Sequence, residues 1–172
     1  MKYADALKIV AATESDLRPV AELAGVIWRR HYPGIITPGQ IEYMLALGYS
    51  HDALERFLVE PGAGLLLAYD ASRLIGFAAY YRSDEAGELK LDKLYVHEDY
   101  HGRGVGSRLI ARVEESARAQ GRGTLILQVN KNNAKAIRAY EHNGFAVRKP
   151  VVVDIGGGYV MDDYVMAKRL AS

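Results

Sequence analysis

ELKLDKLYVHEDYHGRGVGSRLI, residues 88–110, runs from a strand through a short acidic and aromatic turn into a glycine-rich loop and a helix. The strand is apolar at Leu89, Leu91, Leu94 and Val96. Side chains alternate between faces along a strand, so the three-residue step from Leu91 to Leu94 would turn half of it inside out. One extra residue, a β-bulge near Asp92 and Lys93, restores a single apolar face. The loop carries Gly102, Gly104 and Gly106, and the helix after it repeats Val105, Leu109, Ile110, Val113 and Ala117 on one side. Strand, glycine loop and helix together aim backbone N–H groups at an anion.

Two strands precede this stretch, at 65–69 and 74–81, with turns at 70–73 and 84–87. Three strands joined by short turns make an antiparallel meander. After the helix, Gly121-Arg122-Gly123 stops the period, and 124–129 is a continuous apolar run. Such a run suits a buried parallel neighbour reached by a right-handed crossover. A helix over 133–142 ends at Asn143-Gly144. Strands at 145–154 and 159–169 follow, separated by three glycines.

Upstream, 7–13 reads as a first strand, and Ser15 as the cap of a helix that Pro33 and Gly34 end. Thr37-Pro38-Gly39-Gln40 opens a second helix, with Thr37 at the N-cap, Pro38 in the first turn and Gln40 closing a capping box. Ser50 starts a third helix, to about residue 59. The order implies an α/β fold with a mixed sheet and helices on both faces.

The length of 172 residues suits a single domain. With no cysteine, disulfides, thiolate metal sites and thiol nucleophiles are excluded, and a reducing cytoplasm is the expected setting. A net charge of +1 argues against a nucleic-acid surface. No apolar run reaches the length of a membrane span, and 1–13 lacks the apolar core of a signal peptide.

Two common nucleotide loops are absent: there is no G-x-x-x-x-G-K-[ST], and glycines at 102, 104 and 106 do not make G-x-G-x-x-G. Instead, YHGRGVGSRLI resembles the acetyl-CoA loop of the GNAT superfamily of N-acetyltransferases, whose signature is Q/R-x-x-G-x-G/A. A second stretch, VNKNNAKAIRAYEHNGFAV at 129–147, is similar to the other half of the family pattern. The resemblance covers nearly the whole of 1–172. It implies one N-acetyltransferase domain with the GNAT fold, a mixed, mostly antiparallel twisted sheet of six to seven strands.

The resemblance also implies acetyl-CoA as co-substrate, with no metal, lodged in a V-shaped opening between the bulged strand and the next parallel one. Backbone groups of Leu94, Tyr95 and Val96 would pair with the pantetheine arm. The loop of His101, Gly102, Arg103, Gly104, Val105, Gly106 and Ser107 would hold the pyrophosphate. His101 stands where the signature has Gln or Arg, so a fixed positive charge is lost and more pH-sensitive binding is expected. Asn133 and Tyr140 match the family's Asn and Tyr, and a spacing of seven sets them on one helical face. Asn133 would contact the pantetheine, cap the helix, or both. Tyr140 would give a proton or a hydrogen bond to the coenzyme sulfur, where the bland alternative is a packing tyrosine. Asn130 reads as a cofactor contact or a turn former.

For the general base, Asp92 at the bulge is the first candidate, with Glu88, His97 and ordered water as alternatives. In this family the acceptor lies against the first helices and the loop joining the last strands. Here those supply Trp28, His31 and Tyr32, then Asp154, Tyr159 and the pair Asp162-Asp163. Adjacent strand residues face opposite ways, so at least one of that pair is plain surface. Aromatics beside carboxylates suit an alkylammonium.

IITPGQIEYML and GGGYVMDDYVMAK are similar to bacterial PaiA-like members, which acetylate polyamines. The expected activity is acetyl transfer to a primary amine by direct attack, with a polyamine or other small amine as acceptor. The alternatives are a protein or amino-acid N-acetyltransferase, Arg29 and Arg30 favouring a carboxylate-bearing acceptor, and a non-catalytic CoA-binding regulatory domain. Homodimerisation is common among relatives, and the strand at 159–169 is a candidate to pair across an interface.

Overall fold

The computed structural model describes residues 6–171. Strand β1 (Leu7–Ala11) leads into three helices, α1 (Leu17–His31), α2 (Pro38–Gly48) and α3 (His51–Val59). The meander follows as β2 (Gly64–Asp70), β3 (Arg73–Arg82) and β4 (Glu88–Val96). Helix α4 (Val105–Ala119) crosses over to β5 (Thr124–Asn130), and α5 (Ala134–His142) precedes β6 (Ala146–Gly156) and β7 (Tyr159–Arg169). The seven strands form one sheet in the order β1-β2-β3-β4-β5-β7-β6, and β4–β5 is its parallel pair.

Alternation along the strands divides the apolar residues into two layers. Leu89, Leu91, Leu125, Leu127 and Met166 meet Leu109 and Val113 of α4 on one face. Leu65, Leu67 and Phe77 meet Leu17, Val20, Trp28 and Leu54 of the first helices on the other. The predicted bulge is present: Ala79 stands opposite Lys93 and Tyr80 opposite Leu91, which leaves Asp92 as the extra residue. Leu94 and Val96 therefore return to the α4 side with Leu89 and Leu91.

The same residue separates β4 from its parallel partner. Their ladder consists of Glu88–Thr124, Leu89–Leu125 and Lys90–Ile126. Beyond it, β4 stays with β3 as far as Val96, while β5 stays with β7 as far as Asn130 opposite Asp163. The two strands part as a V.

Three local expectations are corrected. Ser15 is not the helix cap; Thr13 starts a short 3-10 turn, its N–H donating to the Asp16 carboxylate at 2.8 Å. Thr37 does accept from the Gln40 N–H at 3.2 Å, but the Gln40 side chain donates to the Val160 carbonyl at 2.8 Å instead of closing a capping box. That bond docks α2 onto the start of β7. Finally, β7 lies inside the sheet between β5 and β6, so its backbone is already paired on both sides and is not available for strand pairing across an interface; the outer strands are β1 and β6. No helix among the described residues is long and apolar enough to cross a membrane.

Candidate active site

The V opens into a cleft of about 1080 Å³, more than one small ligand needs. Its walls are the free edge of β4, the glycine loop, the start of α5 and the ends of α1 and α2. Among the described residues, Leu94, Tyr95 and Val96 pair with Ala78, Phe77 and Gly76 of β3 and have no strand on their other side.

At the loop, Gly102 and Gly104 have φ of 75° and 78°, a left-handed backbone that strains any residue with a Cβ. A Cβ at either would meet nothing within 4 Å, so glycine is required there by the turn and the space in front is open. Gly104 is the N-cap of α4 and brings no side-chain acceptor. The first amides of the helix therefore keep the capacity that any helix start has for an anion. A free strand edge, a bare helix start and an open loop suit a long ligand with amides in its stem and phosphates at its end.

His101 is tied down by two contacts. Nε2 is 2.7 Å from the Val96 carbonyl, and Nδ1 is 3.0 Å from Lys135 Nζ. An ammonium only donates, so Nδ1 accepts and the Nε2–H donates to Val96. The positive charge missing at position 101 is supplied one helix away, by Lys135.

Asn133 is the N-cap of α5, its Oδ1 accepting from the Ala136 N–H at 3.3 Å, and it is 4% exposed. The same oxygen lies 3.0 Å from His31 Nε2. Asn130 forms the turn after β5, its Oδ1 accepting from the Asn132 N–H at 2.8 Å. Tyr140 is half-buried on the cleft wall, its ring 5.7 Å from that of Phe145. Burial pushes its phenol well above the usual range.

An aromatic group closes the deep side. Tyr32 and Tyr95 join hydroxyls at 2.9 Å, and Trp28 stacks at 4.4 Å on Tyr32 and 5.6 Å on Tyr95. Burial pushes Tyr32 up to about 12 and Tyr95 well above its ordinary value. The Trp28 indole N–H and the Tyr49 hydroxyl are buried close enough for the indole to act on the phenol, and neither makes a hydrogen bond of good geometry among the described residues. Asp92 lines the cleft with Lys93 Nζ at 3.2 Å.

Most of the sequence-predicted residues come together here, but Glu88, the alternative base, pairs with Arg148 at 2.8 Å outside the cleft, and three more are elsewhere. Arg103 turns back over the Tyr100 ring at 5.2 Å. Asp154 is exposed and accepts from the Gly156 N–H at 2.8 Å, shaping the β6–β7 turn. Tyr159 packs on Tyr43 at 5.1 Å. None of the three lines the cleft.

The residue that the sequence reading left undecided is Asp163. It is 5% exposed and lines the cleft, while its neighbour Asp162 points outward to Lys131 at 2.7 Å. Apolar residues flank both phases of the strand, Met161 and Val165 against Tyr164 and Met166, so alternation alone could not choose between them. The position of β7 beside β5 chooses. Among the described residues, one cluster with the spacing to hold a cation, His51, Asp52 and Glu55, is on α3 outside the cleft.

Residues 21–145 match the Acetyltransferase (GNAT) family. The chain belongs to that family. A spermidine N(1)-acetyltransferase of Thermoplasma acidophilum is 28% identical over 161 residues, covering 91% of this acetyltransferase and 93% of the relative. An uncharacterised N-acetyltransferase of Mycobacterium tuberculosis is 28% identical over 156 residues, 91% of this chain and 99% of that one. Among solved structures, the PaiA N-acetyltransferase of Thermoplasma acidophilum, in complex with coenzyme A, superposes with a TM-score of 0.80 at 26% identity, covering 95% of this GNAT chain and 98% of its own. The seven-stranded α/β architecture is thus that of its GNAT neighbours.

Proposed function

We propose that this acetyltransferase is a single domain that moves the acetyl group of acetyl-CoA to a primary amine by direct attack. The observation that carries the reading is the unpaired edge of Leu94, Tyr95 and Val96, which runs towards the open glycine loop. An extended amide-bearing arm can complete that ladder as an added strand, with its phosphates at the start of α4. The coenzyme A in the Thermoplasma relative supports the same partner.

Binding donor and amine in one cleft removes most of the entropic cost of their encounter. Backbone N–H groups at the open end of β4 are suited to polarise the thioester carbonyl. Attack by the neutral amine forms the C–N bond as the C–S bond breaks, and the sulfur keeps the electron pair. Counted from the ammonium form, the nitrogen sheds two protons, one to a base before the attack and one that ends on the sulfur. Tyr140 faces the cleft with a phenol held protonated, which suits a hydrogen bond to that sulfur. Asn133, already committed to its helix and to His31, orders the wall beside it. With no cysteine, no thiol is available to carry the acetyl group in between.

The acceptor reading is a small amine, for which the likeness to a spermidine acetyltransferase and the aromatic lining both speak. The test is release of CoA thiol from acetyl-CoA across polyamines, amino acids and peptide amines. Turnover with amines alone supports the reading, and turnover confined to amino acids or peptides moves the acceptor class. Acetyl-CoA binding with no release for any acceptor would favour a CoA-binding regulatory domain.

A further inference from the structure

Asp163 is a buried carboxylate with no ion-pair partner among the described residues. Lys131 and Lys90, the two cations whose charge acts on it, are engaged elsewhere. Lys131 pairs with Asp162 at 2.7 Å, and Lys90 sits over the Tyr81 ring at 5.6 Å. A buried, unpaired charge is among the costliest features a fold can carry. It persists where a partner arrives from outside.

The surroundings specify that partner. Asp163 stands opposite Asn130, at the end of β5 where the V is widest, and lines the cleft together with Tyr32, Tyr95 and Trp28. Tyr32, whose phenol feels the Asp163 charge, sets an aromatic ring within its reach, and Trp28 and Tyr95 continue that aromatic wall, which suits the charge and the methylene stem of an alkylammonium. An anionic head group would meet the carboxylate itself and be repelled.

We propose that Asp163 is the anion of the acceptor subsite, binding the ammonium of an alkylamine and taking the first proton that the nitrogen loses. This rests on the acetyl-transfer reading above and names its acceptor site. The N–H bond to Asp163 breaks, its proton passes through the carboxyl to solvent, and the freed lone pair attacks the thioester carbon. The second proton leaves the nitrogen after the C–N bond has formed and accounts for the thiol of the released CoA. One acetyl group is transferred and one proton is released in net.

The charge balance around the site fits. Burial and the neighbouring Asp162 raise the Asp163 carboxyl, while Lys90 and Lys131 draw it down, to about 6. The charged and titratable groups of α1 and β4 in the same lining are held by other partners: Arg30 by Glu98, His31 by Asn133, Asp92 and Lys93 by each other, and Lys90 over the Tyr81 ring. Tyr32 and Tyr95, and Tyr140 on α5, are pushed upward by burial and stay neutral. A carboxyl at that level is ionised at neutral pH and still basic enough to accept a proton from a desolvated ammonium.

The test uses the full chain, with acetyl-CoA and a series of propylamine, 1,3-diaminopropane and spermidine. In the parent, kcat/KM for the amine rises with pH and breaks at about pH 6. Asp163→Asn, close in shape, keeps acetyl-CoA affinity by calorimetry, loses about 100-fold in kcat, raises amine KM about 10-fold and loses the break. Asp162→Asn stays within about twofold of the parent.

Retention of the break and of kcat in Asp163→Asn overturns the assignment, and disappearance of the break in Asp92→Asn instead gives the proton to the bulge carboxylate. Acetyl-CoA binding by the parent with no turnover of any amine in the series overturns it as well. Failure of the parent to bind acetyl-CoA removes the reading beneath it.

Discussion

His31 Nε2 donates to Asn133 Oδ1 at 3.0 Å, joining residues 102 positions apart and carrying the end of α1 to the start of α5. The same oxygen accepts from the Ala136 N–H, and a carbonyl has lone pairs for both. The two sides of the cleft thus meet at one side-chain amide. Asn133→Ala removes the cap and the cross-link together and should cost about 1–2 kcal/mol. His31→Ala spares the cap and should cost less than half of that. Urea unfolding of both variants is the check, and equal losses would contradict a shared oxygen.

Tyr140 gives a kinetic prediction. A phenol raised by burial lies above the ordinary thiol value of about 8.5, so it lends a hydrogen bond more readily than it surrenders a proton. Tyr140→Phe should lower kcat about 10- to 100-fold and leave acetyl-CoA affinity unchanged. Steady-state kinetics beside calorimetric titration separates the two, and an unchanged kcat returns Tyr140 to the role of a packing residue.

Tyr49 gives the opposite kind of prediction. Its hydroxyl is buried with no hydrogen bond of good geometry among the described residues, only the Trp28 indole N–H acting on it, and a poorly satisfied buried polar group costs about 1–3 kcal/mol. Tyr49→Phe should leave stability unchanged or raise it by about 1 kcal/mol. Thermal unfolding decides, and a clear loss would mean that the hydroxyl has a partner in solution.

Asp163 ties stability to pH. Its carboxyl is raised from 3.8 to about 6, so between those values the folded chain holds more proton than the unfolded chain. This contribution is fully present below about pH 4 and is lost as pH rises through 6. At pH 7.5, Asp163→Asn should therefore be more stable than the parent, on the order of 1–2 kcal/mol. At pH 4 the advantage should vanish. A variant that gains stability and loses turnover would show a charge kept in place against the interest of the fold.

The bulge was legible because the step from Leu91 to Leu94 admits no other single-faced strand, and α2 was legible from Thr37 and Pro38. Asn133 and Tyr140 were singled out by the resemblance of 129–147 to the family pattern, and both line the cleft. The choice between Asp162 and Asp163 was not legible, because alternation on β7 is apolar in both phases and the deciding fact is which strand lies beside it. Strand order is set by packing between distant segments, and no local pattern carries it. For the same reason, the insertion of β7 between β5 and β6 and the bond from Gln40 to Val160 came only from the assembled chain. Lys135 is a milder case: its charge was visible, its target on His101 was not.

The parting of β4 from β5 has one more consequence. It creates two sheet edges in the interior of the protein, and unpaired edges invite pairing with any passing strand, the first step of aggregation. The cross-link from His31 to Asn133 ties α1 to α5 in the wall of the cleft on which those edges open. An arm of backbone-like amides laid along Leu94, Tyr95 and Val96 would cover one of those edges, so occupying the donor site and protecting the sheet would be one and the same act.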